Sequence, residues 1–251
     1  MAKRSPDVIF GVSHIGLRRL RNEDAIYCDP LHRYALLCDG MGGHMAGSLA
    51  SHSAIGYMAS YLDENLPGLL RQDQAAVFEC IQEGVRLSSE HLREIASVNS
   101  QAVDLGTTLA LLLKLETDMY VCHIGDSRAF LYRDPFLYQL TFDHTLYNDQ
   151  LLAGISPSEA RRSPMAHALT QSLGQNAINS LGNVTKLKTQ PNDIFMIASD
   201  GLYGKVQGKW MESLCSQADK KTPHKLTLSL CGLALEAGGE DNVSLVTFFV
   251  S

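Results

Sequence analysis

No two of the six cysteines, Cys28, Cys38, Cys80, Cys122, Cys215 and Cys231, stand in a C-x-x-C pair. That spacing argues against a zinc site or a thioredoxin-like redox centre. Most of these cysteines sit in apolar stretches such as Ala35-Leu36-Leu37-Cys38 and read as buried reduced thiols. No apolar run reaches bilayer length, and the start, Met1-Ala2-Lys3-Arg4-Ser5-Pro6-Asp7, does not lead into a signal-peptide core. A cytoplasmic protein without membrane insertion is expected. Nor is there an excess of positive charge. The net charge of -6 provides no overall field toward nucleic acid. Gly204-Lys205 and Gly208-Lys209 are not followed by Ser or Thr, so no P-loop exists, and no G-x-S-x-G elbow marks a serine hydrolase. Linkers, low-complexity tracts and internal repeats are also missing.

What is present is an ordinary globular composition over 251 residues, 45% hydrophobic and 19% charged. Strands are expected at Val8 to His14, Ala25 to Asp29 and Tyr34 to Asp39. Helical periodicity follows from about Ala46 to Leu62, with Ala50, Ala54, Tyr57, Met58 and Tyr61 on one side. A second helix is expected from about Gln74 to Val98, and Pro67-Gly68 reads as a break between the two. Further strands are expected at Thr107 to Leu115, Met119 to Ile124, Arg128 to Tyr132, Ile194 to Ala198 and Val243 to Val250. A helix from about His224 to Ala237 should stop at Gly238-Gly239. The polar segment from Thr141 to Gly182 reads as an inserted helical or irregular subdomain. Strands and helices come in separate runs, which favours mostly antiparallel sheets with helices outside.

Several carboxylates stand where expected strands meet tight turns: Glu23-Asp24, Asp39-Gly40, Asp200-Gly201 and Asp241-Asn242. A single Asp-Gly is most often only a turn. Four such ends brought together would be another matter, because two charges ~4 Å apart repel by roughly 4 kcal/mol at an effective dielectric near 20. Such a cluster needs protons or cations, and hard oxygen donors without thiolate or imidazole suit Mg²⁺ or Mn²⁺. Arg19, five residues before Asp24, could grip a phosphate dianion through two parallel hydrogen bonds, or be a solvated cation like its neighbours Arg18 and Arg21. His44, after Gly40-Met41-Gly42-Gly43, is either a helix-start residue or an acid near a leaving group.

Seven blocks in this order carry a family resemblance. They are Gly16-Leu17-Arg18-Arg19 running into Asn22-Glu23-Asp24; Asp39-Gly40-Met41-Gly42-Gly43-His44; Gly106-Thr107-Thr108; Gly125-Asp126-Ser127-Arg128; Leu140-Thr141 with Asp143-His144; Ser199-Asp200-Gly201-Leu202; and Glu240-Asp241-Asn242-Val243-Ser244. From about residue 11 to the C-terminus the chain resembles the metal-dependent protein phosphatases of the 2C type, particularly the compact bacterial serine/threonine phosphatases. The resemblance implies an α+β fold, a four-layer αββα sandwich of two mainly antiparallel sheets flanked by helices, as one catalytic domain over 1–251. A mobile flap would occupy about 141–182.

By position, the resemblance makes Asp39 the bridge between two Mn²⁺ or Mg²⁺ ions, with the Gly40 carbonyl on one of them. Asp200 and Asp241 would bind the first ion, and Glu23 and Asp24 would act through waters near the second. Asp126 with Asp200 would hold a weaker third ion. Arg19 would hold the substrate phosphate, and His44 would protonate the leaving alkoxide. The expected activity is hydrolysis of phosphoserine and phosphothreonine by a metal-bridging hydroxide, since two metals can lower the pKa of a shared water toward neutrality. Implied partners are phosphorylated proteins and an opposing serine/threonine kinase, with the enzyme a monomer. Gly204 departs from the pattern, because many relatives carry an aspartate there, and this weakens the expected third site. Two rivals are a non-catalytic phosphoprotein-binding module on the same scaffold and a hydrolase of small phosphate esters.

Overall fold

A computed structural model describes residues 6–42, 45–69, 72–99, 105–175 and 182–251. Two antiparallel sheets lie face to face. One has the strand order β1 (Val8–His14), β11 (Val243–Phe249), β10 (Ile194–Ala198), β7 (Arg128–Arg133), β8 (Phe136–Gln139). The other runs β2 (Asp24–Cys28), β3 (Tyr34–Met41), β5 (Leu109–Leu115), β6 (Asp118–Ile124), β9 (Asn183–Lys188), with the short β4 (Gly106–Thr107) also paired to β3.

Both faces of the central strands are covered, which explains why they read as continuous apolar runs. On β3, Ala35 and Leu37 point into the inter-sheet core with Leu112, Phe195, Ile197 and Phe248. Leu36 and Cys38 point the other way, onto helices α1 (Ala46–Leu69) and α2 (Gln74–Val98) through Met58, Leu62 and Ile81. The outer face of the first sheet is covered by α6 (Gly208–Ser216) and α7 (Pro223–Glu236), where Met196 and Leu245 meet Met211, Leu226 and Leu230. The layers are therefore αββα, as the resemblance implied. Burying a leucine or phenylalanine fully is worth roughly 1.5–3 kcal/mol, so three separate cores give the scaffold a rigid frame for the loops between them.

Several local expectations need correction. Pro67-Gly68 does not break the chain: α1 runs through it to Leu69. The proline lies in the last turn, where one missing amide bond weighs less than burying Leu66 and Leu69. The actual break comes at Asp73, whose side chain accepts the Ala76 amide at 3.0 Å and caps α2. The strand expected over Thr107 to Leu115 is split at Thr108, for a reason the site makes plain. The strands β8 and β9 and the short helices α5 (Asp200–Tyr203) and α6 were not expected. The strands β8 and β9 are sheet edges with half-exposed or exposed side chains, so they lack the apolar run of their neighbours. Within 141–175 the chain forms α3 (Leu146–Leu152) and α4 (Pro157–Ala160), tied back by bridges Thr145–Leu169 and Thr107–Leu173. Among the described residues, no helix is long and apolar enough to cross a membrane.

Candidate metal centre

The acidic turns converge at one end of the sandwich. In the register of β2 and β3, Asp24 pairs directly with Asp39. The split between β4 and β5 exists to hold Asp39. The Asp39 amide donates to Thr108 Oγ1 at 2.8 Å, and its carbonyl accepts from Thr107 Oγ1 at 2.8 Å and from the Thr108 amide at 2.9 Å. An uninterrupted strand would turn these hydroxyls away. From the other sheet, the chain leaves β10 at Ser199 and enters α5 at Asp200. Ser199 Oγ donates to Asp24 Oδ2 at 2.8 Å, joining the two sheets beneath the site.

Asn242 fixes the remaining segment. Its Nδ2 donates to the carbonyls of Ile15 and Arg21 at 2.9 Å each, and its Oδ1 accepts the Glu23 amide at 2.8 Å. The loop carrying Arg19 is thereby bound to the turn carrying Asp241. Arg19 and Asp241 form an ion pair at 2.7 Å. Two glycines make these approaches possible. A Cβ on Gly40 would stand 2.1 Å from the Gly47 carbonyl oxygen, and one on Gly201 would stand 1.9 Å from that of Asn242. Gly40 thus has a packing role where β3 meets α1, beside any role for its carbonyl.

The resulting cleft encloses about 630 Å³ and is lined by Arg19, Glu23, Asp39, Gly40, Asp126, Asp200 and Asp241, with Arg18, Arg21, Thr108 and His167 around them. Burial and crowding raise the pKa values of the carboxyls, making them weaker acids. Burial pushes Asp39 well above the carboxylate range, reinforced by the charges of Asp24, Asp200, Asp126 and Asp241. Asp126 is pushed to about 7 by burial and then by Asp200 and Asp143. Asp200 is raised by burial and by Asp241. Arg19 is raised, chiefly by its hydrogen bond to Asp241. Asp24 is buried and does not line the cleft; burial raises it to about 6, against hydrogen bonds from Ser244 and Ser199. His44 and Gly43 lie outside the described residues.

Carboxylates crowded until protonation is favoured are a set that divalent cations would neutralise, and an all-oxygen donor set suits Mg²⁺ or Mn²⁺. Among the described residues, no three His, Cys, Asp or Glu side chains form a ready-made cation cage. A site completed by backbone carbonyl and waters does not need one, since Mg²⁺ characteristically keeps several waters.

Sequence reasoning left four groups without a role. Thr107 and Thr108 show in the sequence only as a Thr-Thr pair after a glycine, with nothing local to tie them to Asp39. Asn242 was seen only as the partner of Asp241. Arg128 is held bidentately by Asp143, at 2.7 and 3.0 Å, and stacks over Tyr203 at 3.8 Å, while the Tyr203 hydroxyl donates to the Asp126 carbonyl. His167 reaches the cleft from the 141–175 segment and had no sequence signal. Gly204 caps α5 in ordinary right-handed backbone, its amide donating to the Asp200 carbonyl, so the turn that presents Asp200 does not itself call for glycine.

The family model described as Protein phosphatase 2C matches residues 10–230. The serine/threonine protein phosphatase PstP of Mycobacterium tuberculosis is 33% identical over 235 residues, which is 92% of this chain and 42% of that protein. The chain thus spans less than half the length of that relative. Protein phosphatase PhpP of Streptococcus pneumoniae is 29% identical over 245 residues, covering 93% of this chain and 94% of PhpP. Among solved structures, the M. tuberculosis PstP/Ppp phosphatase superposes with a TM-score of 0.83 at 28% identity, covering 98% and 99% of the two chains. The catalytic domain of PstP in complex with two manganese ions gives 0.81 at 28% identity over 97% of each.

Proposed function

The chain belongs to the protein phosphatase 2C family, and on that premise we propose that it removes phosphate from phosphoserine and phosphothreonine in proteins, with Mn²⁺ or Mg²⁺ as cofactor. The observation that carries the reading is the single cleft in which Asp39, Asp126, Asp200 and Asp241 crowd beside Arg19.

Asp39, the Gly40 carbonyl, Asp200 and Asp241 would hold two cations, with Glu23 acting through waters; Asp24, held beneath the cleft by Ser199, would act only by adding negative charge behind Asp39. Asp126 and Asp200 would hold a weaker third, weakened further by Gly204. When bound, the ions supply Lewis acidity toward phosphoryl oxygen and activate water for attack. The rest is done by the chain. Arg19 orients the phosphate dianion by charge-assisted hydrogen bonds and meets charge on its equatorial oxygens. Asp241 keeps that guanidinium aimed into the cleft. Thr107 and Thr108 hold Asp39 in place, so no reorganisation is needed during reaction. His44 supplies a proton to the departing seryl or threonyl oxygen, help worth roughly 10²–10⁴-fold.

We assign residues 1–251 to one catalytic unit with a flap over about 141–182. Its substrates would be phosphorylated proteins made by a serine/threonine kinase, and it would act as a cytoplasmic monomer. The test is phosphate release from a phosphothreonine peptide with added Mn²⁺. Turnover that disappears with chelator and returns with Mn²⁺ is expected. Undiminished turnover in excess chelator, or none with Mn²⁺, would overturn the reading.

A further inference from the structure

Beside the cleft lies a larger groove, about 830 Å³, between the 141–175 segment and α5. The two are continuous, since both are lined by Asp126, His167, Asp200 and Asp241. A polypeptide whose phosphate sits in the cleft has this groove as one way out.

Its charges are almost all paired. Arg128 is held by Asp143 at 2.7 Å, Lys205 by Glu240 at 2.5 Å, and Asp241 by Arg19. Asp126 and Asp200 belong to the metal centre proposed above. Arg161, at the C-terminal end of α4, is different. Among the described residues no carboxylate pairs with it, and its guanidinium carbon lies over the Tyr147 ring, 5.9 Å from the centroid. Tyr147 and the 48% exposed Phe142 add apolar surface to the same groove. An aromatic face holds a guanidinium without using its N–H donors, which leaves the planar fork free to take a carboxylate in two parallel bonds.

We propose that this groove binds the polypeptide on one side of the phosphorylated residue and that Arg161 takes an acidic side chain there, so that the preferred substrates are phosphoproteins with an acidic flank on that side. The proposal rests on the phosphatase reading for the position of the phosphate. It assigns the flanking selectivity to a residue outside the metal centre. The groove lies to one side of the cleft, so the preference is one-sided.

The test uses phosphothreonine peptides carrying either Glu or Gln at three positions, N-terminal or C-terminal to the phosphothreonine, assayed with Mn²⁺. The expected result is a kcat/KM about two- to fivefold higher for Glu than Gln on one side only, the scale of one exposed ion pair. Arg161→Gln should remove the difference and Arg161→Glu should reverse it. Turnover of para-nitrophenyl phosphate by the same preparations reports the phosphate-cleaving centre separately. Absence of a flank preference in the wild type overturns the proposal. So does the same preference in Arg161→Glu, or an equal change for the Glu and Gln peptides. Should no preparation cleave either substrate, the phosphatase reading fails on its own. Fluorescence anisotropy of the labelled peptides then decides the groove: tighter binding of the Glu peptide that Arg161→Glu abolishes supports it, and equal binding overturns it.

Discussion

Asp126→Asn separates an electrostatic centre from a structural turn. Asp126 follows Gly125, which has φ +91, at the turn between β6 and β7, so a purely conformational role is the competing account. Its carboxyl is pushed from an ordinary 3.8 to about 7, by burial first and then by Asp200 and Asp143. A folded-state value above the unfolded one means that ionisation opposes folding. The associated stability is fully present below about pH 4 and is lost as pH rises through about 7. The full shift corresponds to an upper bound of about 4 kcal/mol. The carboxyl is partly exposed and its surroundings relax, so about 1–2 kcal/mol is the working expectation. In chelator at pH 8, Asp126→Asn should therefore melt higher than wild type by roughly 3–6 °C for a chain of this size. The gain should shrink toward nothing near pH 4. Saturating Mn²⁺ should oppose the gain in stability, and phosphopeptide turnover by the variant should fall sharply. The assay is thermal melting across pH with and without Mn²⁺, beside phosphate release. A variant less stable than wild type at pH 8 in chelator, or a difference that does not vary with pH, refutes the electrostatic reasoning.

Asp39→Asn should retain the fold, because repulsion in the cleft falls, yet lose nearly all turnover; more than about a tenth of wild-type rate, a barrier change under ~1.4 kcal/mol, contradicts a place for Asp39 in the metal centre. Arg19→Ala should lower kcat/KM for a phosphopeptide by a few kcal/mol while calorimetric Mn²⁺ affinity stays within a few-fold. The opposite split would reassign Arg19 to the metal sites. Gly201→Ala places a Cβ 1.9 Å from the Asn242 carbonyl oxygen and should displace both Asp200 and the Asn242 clamp. Denaturant unfolding should register a loss of about 1–3 kcal/mol, as overpacking does, together with loss of turnover; a wild-type midpoint would show that the turns do not touch as described.

Much of the scaffold was legible because its signals are local. The periodicity of α2 and the apolar runs of β3, β5, β6, β10 and β11 lie within short windows. The edge strands β8 and β9 escaped because one side of each faces solvent and their patterns are diluted. Pro67 misled because a proline's effect depends on its place in a helix, and only packing shows that it stands in the last turn. At the site, Asp39, Asp200, Asp241 and Arg19 were visible as residues in ordered blocks. Asp24 looked equivalent to Glu23, yet the alternation of side chains along β2 sends it beneath the cleft to Ser199.

The sequence by itself determined which residues could carry charge at tight turns, which glycines could permit close approach, and which stretches would be strand or helix, because each depends on a few neighbouring side chains. Tertiary structure decided that those turns meet. Asp24 and Ser199 stand 175 residues apart and share a hydrogen bond, and Arg19 and Asp241 stand 222 apart and share an ion pair. Such contacts follow from strand register and from two sheets packing face to face, which no local window records. The raised proton affinity of Asp39 and Asp126 follows in turn, since a carboxyl changes its proton affinity only when burial and other charges reach it in space. Arg161 is one of two adjacent arginines in the sequence; the fold gives it an aromatic neighbour, no carboxylate partner among the described residues, and a groove that opens onto the cleft.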